Sequence, residues 1–473
     1  MSNEKDKILL HEENLEQMET DIIEDNNLYQ QKRKKYILKG LSSLLSAIIN
    51  IFGYFSIWVM GQSIVYLISF RRLYNPYLTF SHGYFLIPIM EFTICLTSPI
   101  GGILEKKIGG KKTIFLSYLI LCLSFTFLYF SRNIYIDYIL MSIKGFGLAI
   151  GINIAKKNVC SFFMNRKALI CGILYLAPGF LCSGLGIFNE KIIMNPLSKN
   201  PTIDNIYYDE EISSNIQKLI FFEINLLIIT CFISLLLYFE NDPKESIKFG
   251  FMEKVQKKNN LENDTNPKKN TKKLNLKKAI YNIRAVRLFL MIFLFFPTVN
   301  FIYVTWRPIG IYYKINTLYL QYTGSLFSIS GCISSIVFGL IGDKIKFRIL
   351  FIILAFSLSF ISFLFPISFK YDKFFIFEIL FMAFILRGYN IIIDPHIMKV
   401  YGIENFIEIG GIIRSSGGIC EILIIILAFF LENNYSGNKN FAFILMYIIS
   451  GIFNLISLIL GLFESDDKFN YDI

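Results

Sequence analysis

Apolar residues run along this chain in long segments separated by short polar stretches. Twelve segments reach the roughly 20 residues that an α-helix needs to cross the hydrocarbon of a bilayer. Because these runs do not alternate with polar residues, and because a helix satisfies its own backbone groups in lipid, they indicate helices and not a β-barrel. The predicted spans are Leu41–Phe70, Gly83–Leu104, Thr113–Phe130, Ile136–Ala155, Leu169–Phe188, Leu219–Tyr238, Leu288–Trp306, Tyr322–Ile341, Ile349–Ile367, Phe374–Ile393, Gly410–Leu431 and Phe441–Phe463.

Polar segments divide this series in two. A basic stretch at residues 241–285, which includes Lys268-Lys269-Asn270-Thr271-Lys272-Lys273, separates six spans from six and is typical of a flexible linker. We therefore expect an N-tail (1–40), a first bundle (41–240), this linker, a second bundle (286–463) and a C-tail (464–473). The N-tail has no apolar core before the first span, so a cleaved secretory signal is not expected.

The two bundles carry traces of a repeat. Aligning Lys144-Gly145-Phe146 with Arg387-Gly388-Tyr389 also aligns Phe163 with Phe406 and Ala168 with Gly411. The predicted fold class is an all-α membrane protein with twelve transmembrane helices in two six-helix pseudo-symmetric bundles.

Composition agrees with a membrane protein. Hydrophobic residues make up 54% of the chain and the mean hydropathy is +0.51, more than soluble cores would bury. The net charge of +11 resides in interhelical loops without a recognition motif, so orientation in the membrane explains it better than nucleic acid does. By the positive-inside rule both termini face the cytosol, whereas the sequence does not distinguish the plasma membrane from an organelle membrane.

Other chemistries find no support in the sequence. The eight Cys residues form no CxxC or Cys/His cluster, so we expect neither a metal site, a cofactor nor a disulfide framework. There is no nucleophile beside a base, and Gly109-Gly110-Lys111-Lys112 lacks the first Gly and the strand of a P-loop. We do not expect an enzyme.

Two basic loops are related to each other. The loop after span eight reads Gly339-Leu-Ile-Gly-Asp343-Lys344-Ile-Lys346-Phe-Arg348, and an acid at such a helix end can meet the N-terminal amides of a neighbouring helix. It resembles the GxxxDRxGRR loop of the major facilitator superfamily. The loop after span two resembles it too, but Glu105 falls one residue early and Lys106 takes the place of the acid, followed by Lys107. We expect a gating role for the residues Asp343, Lys344, Arg348, Glu105, Lys106 and Lys107.

Two further stretches resemble monocarboxylate transporters and oxalate/formate antiporters. They are the Gly145-Phe-Gly147-Leu-Ala-Ile-Gly151 run with the following Arg166-Lys167-Ala168, and Tyr401-Gly402 with Gly410-Gly411 and Gly417-Gly418. The resemblance implies carriage of small carboxylates by alternating access, coupled to protons or to exchange. Those families carry an Arg in span eight where this chain has Ser335. A site with two cations from spans eight and eleven is therefore not expected, and a monoanion or zwitterion is a better candidate cargo than a dianion such as oxalate.

Charges within predicted spans point to function, because each is costly in lipid unless it faces a cavity or a partner. Arg414 is the first candidate for a substrate anchor, since a guanidinium binds a carboxylate bidentately; an interhelix ion pair is the alternative. Arg387 and Lys144 are further candidates, and either can instead pair with Asp394 or Glu91. The carboxylates that can take up a coupling proton are Glu91, Asp394 and Glu421. Asp137, Arg307 and Glu378 lie nearer span ends, where they can reach water.

The sequence thus predicts a secondary transporter of a small organic anion, with the lipid bilayer and, for a coupled carrier, protons as partners. A carrier of amino acids, nucleoside-like metabolites or drugs stays open, because Arg414 and Glu421 together suit a zwitterion. A channel is the remaining class.

Overall fold

The computed structural model describes residues 28–54, 64–78, 80–83, 85–194, 210–242, 245, 282–315, 317–434 and 439–465. Most of the predicted N-tail, linker and C-tail lies outside the described residues, as do positions 55–63 of the first predicted span. The predicted limits of these segments stay predictions.

Twelve helices of 21 to 30 residues make up most of the described chain. The short helix Ile64–Arg72 follows α1 after positions 55–63. The long helices are α1 (Leu28–Tyr54), α2 (Leu86–Ile108), α3 (Gly110–Phe130), α4 (Ile134–Phe162), α5 (Lys167–Met194), α6 (Asn215–Leu237), α7 (Ile283–Tyr312), α8 (Thr317–Gly342), α9 (Phe347–Ser368), α10 (Asp372–Tyr401), α11 (Phe406–Asn434) and α12 (Lys439–Leu462).

The predicted all-α class is confirmed. Among the described residues, ten helices are long and apolar enough to cross a membrane, and α8 has a shorter apolar stretch, Leu326–Gly342. Several helices extend beyond the predicted spans: α4 continues to Phe162 instead of ending at Ala155. Hydropathy marks where apolar sequence ends, whereas the helix continues as long as its backbone bonds and side-chain contacts persist.

Each half packs its six helices in the same order. In the first half α2 and α3 lie against α4, and α3 against α6; in the second, α8 and α9 lie against α10, and α9 against α12. Ser46 of α1 donates to the carbonyl of Ser234 in α6 at 2.7 Å, and Ser457 of α12 donates to the carbonyl of Met291 in α7 at 2.8 Å. This repeated order makes the two bundles pseudo-symmetric.

The halves meet along two antiparallel helix pairs, which we call the α2–α11 seam and the α5–α8 seam. Small residues let these backbones approach each other closely. A Cβ added at Gly172 would lie 2.5 Å from the carbonyl oxygen of Ser335, and one at Gly411 would lie 2.8 Å from the nitrogen of Pro99. Packing across the seams therefore accounts for these glycines.

One end of the bundle, here called the basic end, carries the short loops between α2 and α3, α4 and α5, α8 and α9, and α10 and α11. Gly109 and Gly402 in two of these loops have φ angles of +86° and +82°, a left-handed conformation that favours glycine. At Gly109 this conformation lets α2 stop and α3 start within one residue. Both seams reach this end of the molecule.

Candidate functional site

A buried set of charges joins the two halves near the basic end. Lys156 of α4 donates from Nζ to Oδ2 of Asp394 in α10 at 2.6 Å. The other carboxylate oxygen of Asp394 forms an ion pair with Arg414 of α11. We call these three residues the charge cluster. A single carboxylate of the second half thus binds one cation from each half.

Polar side chains of the first half complete the surroundings of the cluster. Lys156 also donates to the hydroxyl of Tyr175 in α5 at 2.8 Å, and Arg414 donates to Oδ1 of Asn153 in α4 at 3.1 Å. Asn153 in turn donates to Ser98 of α2 at 3.0 Å. Three helices of the first half (α2, α4 and α5) and two of the second (α10 and α11) are therefore linked to the same ion pairs.

The charges of the cluster do not balance. Two permanent cations face one carboxylate, so the cluster has an excess positive charge when Asp394 is ionised. The side chains of Lys156 and Asp394 are each 2% exposed, whereas that of Arg414 is 22% exposed. Electrostatic attraction is strong at such low exposure, and an additional anion beside Arg414 would neutralise the excess.

The other two predicted anchors lie at different distances from this cluster. The guanidinium carbon of Arg387 lies 5.3 Å from the ring centre of Tyr175, so it borders the cluster from α10. Lys144 is fully buried, with Nζ 3.5 Å from the ring centre of Phe125 in α3. Its nearby carboxylates are Asp137 and Glu223 of its own half. Lys144 therefore lies inside the first bundle.

Glu91 and Glu421 face each other across the α2–α11 seam, close enough to interact electrostatically. Their placement follows from the contact of Gly418 with Cys95, where an added Cβ would lie 2.6 Å from that of Cys95. Because α2 and α11 run antiparallel, Glu91 and Glu421 both lie about one turn beyond this contact, away from the basic end. The two carboxylates belong to different halves, as do the members of the charge cluster.

The predicted gating loops close both seams at the basic end. Asp343 accepts hydrogen bonds from the backbone N–H groups of Ala168 at 2.9 Å and Leu169 at 3.1 Å, in the first turn of α5. A carboxylate is favourable there because a helix N-terminus carries unpaired donors and a partial positive charge. This contact joins the loop after α8 to the start of α5.

The last turn of α2 makes the corresponding contact with the opposite sign. Lys106 donates to Glu408 at 2.6 Å, and Glu408 lies in the first turn of α11. Glu105 instead accepts from Lys157 of α4 at 2.7 Å, within the same half. The remaining predicted gating residues, Lys107, Lys344 and Arg348, are exposed. At the α2–α11 seam the first turn of α11 therefore supplies the carboxylate, and the last turn of α2 supplies the cation.

Comparisons with known proteins identify this arrangement. The family model described as Major Facilitator Superfamily matches residues 224–402. The structure is similar to that of the proton:xylose symporter XylE, with 10% identity, a TM-score of 0.66, and coverage of 90% of this chain and 94% of that one. The chain has the major facilitator fold.

Two further structures agree. The human organic anion transporter MFSD10 (TETRAN) is 9% identical, with a TM-score of 0.61 and coverage of 90% of this chain and 99% of that one. The E. coli fucose:proton symporter FucP is 13% identical, with a TM-score of 0.57 and coverage of 91% and 99%. No curated protein matches the sequence. The family match covers less than half of the chain, and these structures agree with it on the fold.

Sequence reasoning missed several buried charges of this protein. Lys156 was expected in a basic loop, but α4 continues past it and places it in the charge cluster. Glu223 is fully buried in α6, inside a predicted span, so its position alone could have identified it. Lys144 and Arg387 were each expected either to bind substrate or to pair with Asp394 or Glu91; in the structure Lys156 and Arg414 pair with the two carboxylate oxygens of Asp394.

Two residues expected to reach water at span ends are also buried. Asp137 has no exposed surface and accepts from Nε of Arg71 at 2.7 Å, at the end of the helix Ile64–Arg72. Glu378 is 2% exposed within α10. Arg71 follows the end of the first predicted span, so no pattern in the sequence indicated its pairing. The side chain of Arg307 lies outside the described residues.

A second buried ionic group ties the ends of three helices of the second half. Glu464, just after α12, accepts from Arg284 of α7 at 2.7 Å and lies 3.3 Å from Nε2 of His396 in α10. Burial raises the pKa of the Glu464 carboxyl, but the hydrogen bonds and charges of His396 and Arg284 outweigh it and hold the pKa below its ordinary value. The ring of His396 stacks on Phe347 at 3.8 Å.

Proposed function

We propose that the transporter carries a small organic anion by alternating access, and that the anion binds between Lys156 and Arg414. The observation that supports this most directly is that these two cations, one from each half, share the single carboxylate of Asp394. A substrate carboxylate has the same shape and charge as the Asp394 side chain. It can therefore take the same place between the two cations.

The residue types favour a carboxylate over a neutral cargo. Arg414 offers a planar fork of donors, Lys156 adds a compact charge, and Tyr175 adds a hydroxyl within reach of Lys156. Because the side chain of Arg414 is 22% exposed, an anion can contact it while Lys156 still binds Asp394. Arg387, beside the ring of Tyr175, adds a further positive charge at the border. This set suits a monoanion such as a monocarboxylate.

The same contacts support a coupling between binding and movement of the halves. The bond between Lys156 and Asp394 crosses from α4 to α10, so it must break before the basic end can open. A substrate that replaces Asp394 on Lys156 and Arg414 removes this restraint. A ligand shifts such an equilibrium by the difference between its affinities for the two states.

Displacement of Asp394 also provides a way to couple a proton. A buried carboxylate that loses both cationic partners is costly while it is ionised, so it takes up a proton. The anion and the proton would then enter together, as in a symporter. Glu91 and Glu421, which face each other across the α2–α11 seam, are the other carboxylates proposed for this role.

We further propose that the basic end faces the cytosol, with both termini on that side, because positively charged loops are retained there. The contacts of Asp343 with α5 and of Lys106 with Glu408 hold both seams together at this end. On this assignment the structure is closed toward the cytosol.

An amino acid is the second candidate cargo. Its carboxylate would bind Arg414, and its ammonium group would bind Glu91 or Glu421, which lie together at the α2–α11 seam. The fold is compatible with either cargo class, since the similar structures include an organic anion transporter and two proton-coupled sugar symporters.

Uptake by purified protein in proteoliposomes tests the proposal. Radiolabelled lactate, pyruvate, formate, oxalate, neutral amino acids, a nucleoside and a hexose would be compared for wild type, Arg414→Gln and Arg414→Lys. We expect saturable monocarboxylate uptake that Arg414→Gln reduces at least tenfold and Arg414→Lys restores in part, whereas the exposed Arg132→Gln control is unaffected. Selective hexose or nucleoside uptake, or monocarboxylate uptake indifferent to Arg414→Gln, would overturn the proposal.

A further inference from the structure

Two buried cysteines lie directly beside the charge cluster. Cys160 is near the end of α4 and Cys171 near the start of α5, and neither has exposed surface in this structure. Cys160 is close enough to Cys171 to influence its ionisation. Both are free thiols.

The geometry of the α4–α5 hairpin independently places them together. Lys156 of α4 and Tyr175 of α5 face each other, because their side chains are hydrogen-bonded at 2.8 Å. The two helices run antiparallel, so the residues one turn nearer their connecting loop also face each other. Those residues are Cys160, four positions after Lys156, and Cys171, four positions before Tyr175.

We infer that Cys160 and Cys171 form a redox modification site, a dithiol that closes to a disulfide when the basic end of the transporter opens. The second half packs beside the pair in this structure, since a Cβ added at Gly172 would lie 2.5 Å from the carbonyl oxygen of Ser335 in α8, and both thiols are fully buried. Separation of the halves at the basic end removes this cover. Reagents then reach the thiols only in the open state.

In the closed structure the neighbouring Cys160 and burial disfavour the thiolate of Cys171, whereas Lys156 and Arg414 favour it. Opening admits water and removes the burial, and the thiolate is the nucleophile in thiol–disulfide exchange. The co-reactant is a small-molecule disulfide such as glutathione disulfide. Cys171 loses its proton and attacks one sulfur of this disulfide, which forms a mixed disulfide and releases one thiolate. Cys160 then loses its proton and attacks the Cys171 sulfur, which releases the second thiolate. The two protons leave with the two released thiols, so two protein thiols are oxidised and one small disulfide is reduced.

The product would act on the neighbouring cluster. A disulfide holds two Cβ atoms roughly 3.8 Å apart, so it fixes α4 and α5 one turn from the bond between Lys156 and Tyr175. Movement of Lys156 between Asp394 and a substrate then becomes restricted. We expect oxidation to slow transport several-fold and dithiothreitol to restore it.

Peptide mapping by mass spectrometry tests the site without any knowledge of the cargo. Full-length protein in proteoliposomes would be incubated with glutathione disulfide, alkylated and digested. We expect a cross-linked peptide pair containing Cys160 and Cys171, formed faster in Asp343→Asn, whose basic end opens more readily, than in wild type. Separate alkylated peptides for both residues in both proteins would overturn the inference.

Variants test the functional consequence. Cys171→Ser should transport without inhibition by glutathione disulfide, and Cys160→Ser should stop at the mixed disulfide on Cys171 without forming the cross-link, whereas Cys420→Ser, at another buried cysteine in α11, should remain sensitive. Inhibition that persists in Cys171→Ser would contradict the assignment. Should no anion be transported at all, the proposed cargo fails, while the cross-link measured by mass spectrometry still decides the dithiol site.

Discussion

Lys156 in α4 and Asp394 in α10 form a buried hydrogen-bonded ion pair of 2.6 Å that connects the two halves of the molecule. Lys156 belongs to the first half and Asp394 to the second, so the pair lies at the interface between the halves. Its strength therefore contributes to the free energy that holds the two halves together near the basic end.

Lys156→Gln should abolish transport and lower the thermal stability of the purified protein. Removal of one partner from a buried pair leaves an uncompensated charge, which costs about 3–5 kcal/mol. Lys157→Gln is the matched control, because Lys157 is the next residue of α4 and pairs with Glu105 inside the first half. Equal effects of the two variants on uptake, normalised to the amount of protein inserted, would contradict a special role for Lys156.

Asp394→Asn should make uptake of the anion independent of pH. In the wild type we expect faster uptake at acidic outside pH, since protonation of displaced Asp394 favours the loaded state. An amide of the same shape cannot take up that proton. Initial rates measured between pH 5.5 and 8 check this prediction. If Asp394→Asn keeps the wild-type pH profile while Glu91→Gln or Glu421→Gln loses it, proton coupling belongs to the α2–α11 seam instead.

Asp343→Asn should loosen the α5–α8 seam at the basic end. The amide side chain still accepts one hydrogen bond from the first turn of α5, but it loses the interaction of a negative charge with the helix N-terminus. We expect faster alkylation of Cys160 and Cys171 by N-ethylmaleimide. Lys344→Gln, at the adjacent exposed residue, should leave the alkylation rate unchanged. An unaltered rate in Asp343→Asn would argue against a closing function of this contact.

Gly172→Leu should prevent close packing of the α5–α8 seam. A Cβ at this position would lie 2.5 Å from the Ser335 carbonyl oxygen and 3.0 Å from Cα of Gly339, which are backbone atoms that cannot move aside cheaply. Loss of transport and of thermal stability is expected. Gly184→Leu, in the same helix, is the control, because nothing lies within 4 Å of its Cβ position. Comparable behaviour of the two variants would show that the seam does not require this approach.

Glu464→Gln should lower stability at neutral pH but not in acid. Because the pKa of the folded-state carboxyl is depressed, its stabilising contribution is present above the unfolded-state pKa and disappears as the pH falls through the folded-state pKa. Melting temperatures of wild type and Glu464→Gln should therefore converge below about pH 4. A difference that stays constant over the whole pH range would mean that the variant acts through packing.

The fold was predictable because lipid imposes a simple rule on sequence. Every spanning segment must be a long apolar helix, and the basic segment between spans six and seven marked the two halves. Helix ends were less predictable, as Lys156 shows. Two adjacent lysines after an apolar run indicated a loop, whereas α4 continues through both of them.

The site was predictable only in part, for a different reason. Arg414 and Asp394 were identifiable because a charge within an apolar span needs an explanation. Which charges pair is a property of helix packing, and it depends on contacts between residues far apart in sequence, such as Lys156 and Asp394. Lys144 looked equivalent to Arg387 in the repeat, yet it lies against Phe125 inside its own bundle. The alignment of two helices does not determine which side of each faces the partner half.

The contacts that join the two seams at the basic end differ in which group supplies the negative partner and which the positive one. At one seam Asp343 binds main-chain amides, whose polarity no mutation can reverse, so only an acceptor fits opposite them. At the other, Lys106 binds the side chain of Glu408, and both members are open to exchange. The side-chain pair at the α2–α11 seam can therefore be replaced by substitution of both residues. At the α5–α8 seam the peptide backbone itself fixes the need for an acceptor.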